Sequence, residues 1–136
     1  MKQVFADSAY WIAILNHKDE LHGKARSVSA SIGGAIIVTS EMVLTELLDY
    51  FSSRGEGLRK AAADLVRRIE QNPNHRIIAQ TRDQFSEALA LYSDRLDKEW
   101  SLTDCASFII CERKGIIEVL TSDGHFEQAG YIALLK

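Results

Sequence analysis

Short apolar runs alternate with amphipathic stretches along this chain, and that alternation constrains the fold more than any other feature. Val4-Phe5-Ala6 reads as a buried strand, followed by a helix from about Ser8. A more polar helix is expected over 19–32, a strand over Ile36–Thr39 and a helix over Glu41–Phe51. Residues 56–71, rich in Ala, Arg and Lys, suit a further helix. Arg76–Gln80 reads as a strand, and 82–96 as a helix with Phe85, Leu89, Tyr92 and Leu96 on one face. Within Trp100–Gly115 lies a helix apolar almost all the way round; then come a strand Glu118–Thr121, a turn or short helix from 124, and a strand Tyr131–Leu134. Strands separated by helices lie mainly parallel, because each crossover returns the chain to the same sheet edge. The expectation is a single α/β domain over 1–136, three-layered α/β/α, with a mainly parallel central sheet of about five strands. One proline and no low-complexity tract leave no sign of a linker.

Composition matters here for what it excludes. No apolar run approaches the length of a membrane span, and the N-terminus carries one early Lys and the interrupting Asp7, unlike a signal peptide. The cytoplasm is the expected location, with no membrane partner. Cys105 and Cys111 lie six apart on one helix, point to different sides, and read as small buried hydrophobes. His17, His22, His75 and His125 lack the spacing of a zinc site and read as surface residues. The net charge of −3 argues against a strongly basic nucleic-acid coat. If four acids were sequestered around a metal, however, 16 basic residues would face 15 acidic ones, which permits a local basic rim.

Ligands of open α/β sheets bind beyond the carboxyl ends of the strands, so the acids delivered there are the candidates. Asp7 immediately follows the first strand, and Asp123 follows Val119-Leu120-Thr121-Ser122. Asp104 opens the all-round apolar helix and projects between Phe108 and Cys111. Glu46 lies at the edge of the apolar arc formed by Val43, Leu44, Leu47, Leu48 and Phe51, beside Met42 and Tyr50. Each has a simpler role available. Asp7 suits a helix cap, Asp123-Gly124 a turn, Ser101-x-x-Asp104 a capping box, and Glu46 a half-exposed edge. Four acids from four segments at one rim suggest a common cause instead. Two carboxylates 4 Å apart repel by about 4 kcal/mol at an effective dielectric of 20, so their pKa values rise or a cation neutralises them. Hard oxygen donors select Mg²⁺ or Mn²⁺ over zinc or copper.

Val4-Phe5-Ala6-Asp7-Ser8, an internal Glu46, Ser101-Leu102-Thr103-Asp104-Cys105-Ala106-Ser107-Phe108 and the run from Leu120 to Tyr131 resemble the PIN domain, most closely VapC-type bacterial ribonucleases. The resemblance spans essentially the whole chain. It implies a metal-dependent nuclease in which Asp7, Glu46, Asp104 and Asp123 are the acidic positions, both metal-holding and catalytic. Ser8, Thr103 and Ser122 would be supporting hydroxyls, and Glu127 a contributor through water. It further implies an endoribonuclease cutting RNA with metal-activated water, a possible toxin whose cognate antitoxin lays a basic side chain into the acidic site, and a homodimer.

Leu58, Leu65 and Ile69 are candidates for the dimer contact, in competition with a place in the chain's own core. Lys18, Lys24, Arg26, Arg54, Arg59 and Lys60 are candidates for phosphate contact, in competition with an ordinary solvated surface. A phosphatase of the haloacid dehalogenase type needs a second Asp two residues after the first, where Ala9 stands. A PIN-fold RNA- or DNA-processing nuclease that is not a toxin, and a catalytically weak binding module, stay open.

Overall fold

The computed structural model describes residues 1–136. In chain order the elements are β1 (Gln3–Ala6), α1 (Ser8–Leu15), α2 (His22–Ser31), β2 (Ile36–Ser40), α3 (Glu41–Phe51), α4 (Glu56–Gln71) and β3 (His75–Ile78). Then follow α5 (Arg82–Asp94), α6 (Leu102–Lys114), β4 (Glu118–Leu120), α7 (Gly124–Gln128) and β5 (Ile132–Ala133). All five strands are parallel, in the order β3-β2-β1-β4-β5. The expected alternation and parallel sheet are both present.

Local chemistry sets the element ends. The Ser40 hydroxyl accepts from the Val43 N–H at 3.1 Å and starts α3; Thr81 does the same for α5 through the Gln84 N–H at 3.1 Å. Gly115, at φ 66°, closes α6 in the left-handed conformation that lets its N–H reach the last turn. α2 begins three residues later than its composition suggests, because the Asp19 carboxylate accepts from the Leu21 N–H at 2.9 Å and holds a turn ahead of it. The final strand shrinks to Ile132–Ala133.

β1 lies between β2 and β4, with Phe5 opposite both Val38 and Val119. The chain therefore moves outward in one direction through β2 and β3, then crosses to the other side of β1 for β4 and β5. The reversal falls at the β1/β4 boundary, the kind of switch point beyond whose strand ends open α/β sheets bind their ligands. Val4, Phe5, Ala6, Val119 and Leu120 have no solvent exposure, so the sheet beneath the switch point is packed core. Trp100, Phe108, Phe126 and Tyr131 form an edge-to-face cluster with Phe108 5.0 Å from both Trp100 and Phe126, which seats α7 against α6.

Two apolar assignments differ from the helical wheels. Leu48, placed in the α3 arc, is 38% exposed. On α5 the stripe Phe85, Leu89, Tyr92 and Leu96 is exposed at 40–88%, whereas Gln84 and Ala88 are buried. The Gln84 and Ala88 side is thus the face that packs inward, and the bulky stripe lies outside it. On α4, Leu65 and Ile69 are buried in the chain's own core and Leu58 packs against it, which removes them as a dimer surface.

Candidate metal centre

Asp7 is placed by backbone first. Its N–H donates to the Leu120 carbonyl at 3.2 Å, extending the β1–β4 ladder by one residue. On the β2 side, the Thr39 hydroxyl donates to the Ala6 carbonyl at 2.9 Å and accepts from the Trp11 indole N–H at 3.3 Å. Asp7 occupies the N-cap position of α1, yet its carboxylate makes no capping hydrogen bond. It turns instead to the Thr121 hydroxyl, which donates to Oδ2 at 2.9 Å. The capping role open to Asp7 is therefore not the one its side chain takes.

Asp104 does both things at once. The capping box is present: Ser101 Oγ accepts from the Asp104 N–H at 3.0 Å, and Asp104 Oδ2 accepts from the Ser101 N–H at 3.1 Å. The carboxylate is also 7% exposed and lies at the same rim. Asp123 Oδ1 accepts from the His125 N–H at 2.9 Å and caps α7, while its own N–H donates to Thr121 Oγ1 at 3.1 Å. The Thr121 hydroxyl thus ties Asp7 and Asp123 together across β4. Glu46, half-buried at the edge of α3, accepts from the Ser8 hydroxyl at 3.0 Å.

Ligand atoms within 4.8 Å of one another come from Asp104, Asp123 and His125, and Asp7 and Glu46 join them through charge. Burial pushes the Asp7 carboxyl up to about 7, opposed by hydrogen bonds from Ser8 and Thr121 and reinforced by the negative charges of Asp104 and Glu46. Glu46 is also raised, chiefly by burial; the Ser8 and Thr103 hydroxyls work against the rise, and Asp104 and Asp123 add to it. Two carboxyls raised in this way, with further acids beside them, suit a divalent cation, because a 2+ charge offsets the cost of burying and crowding negative charge.

Thr103 is buried beside this group, its carbonyl accepting from Ser107 Oγ at 2.8 Å. Ser122 makes no hydrogen bond to the acids; the neighbouring Thr121 takes that place. Glu127 is exposed and paired with Lys136 at 2.7 Å. Of the basic candidates, Arg54 lies over the Tyr50 ring at 3.8 Å, Arg59 donates to the Ser52 carbonyl at 3.0 Å, and Lys60 pairs with Asp64 at 3.1 Å. Lys18, Lys24 and Arg26 are exposed without an ion pair.

Histidine was the larger omission of the sequence reading. His125 is no mere surface residue: its Nδ1 lies 3.0 Å from Asp104 Oδ2 and 3.4 Å from Asp123 Oδ1. His75 packs edge-on against Trp11 at 5.6 Å between centroids, with burial lowering its pKa. The available signal for His125 was its position in the first turn of the helix that Asp123 caps.

A parallel five-stranded sheet with acids gathered at its β1/β4 switch point defines a class. Residues 4–131 match the PIN domain family, and the chain belongs to it, among the VapC-type ribonucleases. The chain is 30% identical over 129 residues to the 23S rRNA-specific endonuclease VapC20 of Mycobacterium tuberculosis, covering 95% of each protein. The crystal structure of VapC20, described as a Sarcin-Ricin loop cleaving toxin, superposes with a TM-score of 0.85 at 28% identity, over 95% of this chain and 96% of that one. FitAcB from Neisseria gonorrhoeae shares the fold at a TM-score of 0.63 and 17% identity, over 96% of this chain and 94% of that one.

Proposed function

We propose that this chain is a divalent-metal-dependent endoribonuclease whose cation is held by Asp7, Glu46, Asp104 and Asp123. What supports the reading is the charge coupling of acids from four separate segments, Asp7 with Asp104 and Glu46, and Glu46 with Asp104 and Asp123, together with the burial that raises Asp7 to about 7. Mg²⁺ and Mn²⁺ both suit the oxygen donors. A divalent cation bound there lowers the pKa of the attacking water and offsets the charge that develops on the phosphoryl group.

The chain's own groups set the geometry for that chemistry. Thr121 and the β1–β4 ladder hold Asp7, the capping box holds Asp104, and the α7 cap holds Asp123. Ser8 holds Glu46. Thr103 supports Glu46 from α6, and the proposal gives Ser122 and Glu127 at most a role through water. Exposed Lys18, Lys24 and Arg26 are the phosphate contacts of this reading.

The substrate proposed is RNA, and because VapC20 is described as acting on 23S rRNA, the sarcin-ricin loop is the first RNA to offer. The reading includes the cytoplasm as the place of action; no helix is long and apolar enough to cross a membrane. It also includes a toxin role, with a cognate antitoxin placing a basic side chain in the acidic mouth by the charge complementarity that suits a cation. A homodimer belongs to the same reading, with the exposed α5 stripe as its apolar surface.

The test is cleavage of labelled sarcin-ricin loop RNA with EDTA, Mg²⁺ or Mn²⁺, using wild type, Asp7→Asn and Asp104→Asn. Cutting is expected only with metal and only in the wild type, leaving a 5′-phosphate. Cutting in EDTA, or full activity in both variants, overturns the proposal.

A further inference from the structure

Histidine does not belong to an all-oxygen Mg²⁺ cage, yet His125 stands inside this one. Its Nδ1 is 3.0 Å from Asp104 Oδ2 and 3.4 Å from Asp123 Oδ1, and one donor atom from each of the three residues falls within 4.8 Å of the others. Adjacent ligands on an octahedral cation with bonds near 2.1 Å stand roughly 3 Å apart. The imidazole nitrogen, now hydrogen-bonded to Asp104, therefore stands from both carboxylate oxygens at about the spacing of neighbouring ligands on one ion.

Each of the three is anchored by backbone. Asp104 is held by the Ser101 N–H, Asp123 by the cap it forms on α7, and His125 by the N–H it donates to Asp123 at 2.9 Å. α7 is in turn seated on α6 through Phe126 and Phe108, 5.0 Å apart. The ring is 30% exposed, so a cation can reach it from solvent.

Resting on the metal-site reading above, we infer that His125 is a nitrogen ligand of the cation held by Asp104 and Asp123, and that it biases the site from Mg²⁺ towards Mn²⁺. The chemistry follows from the donor set. Mg²⁺ holds its oxygen shell tightly and gains little from imidazole, whereas first-row transition ions accept nitrogen donors readily. The competing account makes the imidazole a stand-in positive charge between two acids. The two accounts predict opposite effects of removing the ring, since a ligand strengthens binding and a competing charge weakens it.

The experiment measures Mn²⁺ binding by the loss of the free-ion electron paramagnetic resonance signal, and Mg²⁺ binding by competition. It uses the full chain as wild type, His125→Ala, His125→Gln and Asp104→Asn. Pulsed resonance on bound Mn²⁺, with and without ¹⁵N-histidine, reads the nitrogen directly in the wild type. The expected results are a histidine ¹⁴N coupling in the wild type, Mn²⁺ affinity lowered about tenfold or more in both His125 variants, and Mg²⁺ affinity changed by less than about threefold. Asp104→Asn loses both ions. A wild type that binds Mn²⁺ without nitrogen coupling, or variants with an unchanged Mn²⁺ to Mg²⁺ ratio, overturns the ligand role and leaves the acid site standing. Tighter binding of both ions in the variants overturns it in favour of the competing charge. A wild type that binds neither ion, or an Asp104→Asn that binds both as well as wild type, overturns the metal site itself.

Discussion

Replacing Asp7 with Asn isolates the energetic burden of the acid cluster. The carboxyl rises from 3.8 to about 7, mainly through burial. At about 1.4 kcal/mol per tenfold, that rise places a penalty of up to about 4 kcal/mol on the ionised form in the metal-free fold. The sign follows from proton uptake. Below pH 3.8 the group is protonated folded and unfolded, and nothing is lost. Between 3.8 and about 7 the unfolded chain releases its proton while the folded one keeps it, so stability falls as pH rises. Above about 7 the loss is complete and constant.

Asn lacks the charge but keeps an oxygen to accept from Thr121, and no side-chain cap is sacrificed, because Asp7 forms none. In EDTA at pH 8 the variant should gain on the order of 2–4 kcal/mol, or roughly 7–14 °C in Tm for a domain of this size. At pH 4 the gain should nearly vanish. Thermal melts followed by circular dichroism across that range read it. With Mn²⁺ or Mg²⁺ at 100 times Kd the wild type recovers about 2.7 kcal/mol and the order narrows or reverses. A variant that melts at or below wild type in EDTA at pH 8, or a difference that ignores pH, refutes the reasoning.

Asp104 should behave differently, because its carboxylate is also a cap. In EDTA, Asp104→Asn keeps an acceptor for the Ser101 N–H and should stay within about 1 kcal/mol of wild type, while Asp104→Ala should lose about 1–2 kcal/mol in chemical denaturation. Equal stability of the two variants would show that the Asp104 half of the capping box contributes nothing. On α5, Leu89→Glu places a charge in the exposed stripe of Phe85, Tyr92 and Leu96 and should convert a dimer to a monomer in light scattering without changing helical content. A monomeric wild type refutes the homodimer; a dimer that persists in the variant refutes this surface.

Local information carried the sequence reading a long way. Val4-Phe5-Ala6 and Ile36–Thr39 are strands because apolar, partly β-branched runs of that length bury best in a parallel sheet. The alternation with helices sets their direction. Asp7 and Asp123 were legible because they follow strands, and Glu46 because the period of one helix separates its edge from its core face. Leu65 and Ile69 show the limit of the same method, since a wheel marks an apolar face without saying which neighbour covers it.

Tertiary structure alone settled what depends on distant segments. Thr121 donates to Asp7 across 114 residues of chain, and no local pattern prefers that hydroxyl to Ser122 beside it. His125 meets Asp104 only because Phe108 and Phe126 pack α7 onto α6. The α5 stripe faces outward because the opposite side, with Gln84 and Ala88, is the one packed into the fold. Periodicity and capping are properties of short stretches, so they could be read from order alone. The convergence of carboxylates, hydroxyl and imidazole follows from strand order and packing, which exist only once the whole sheet has closed.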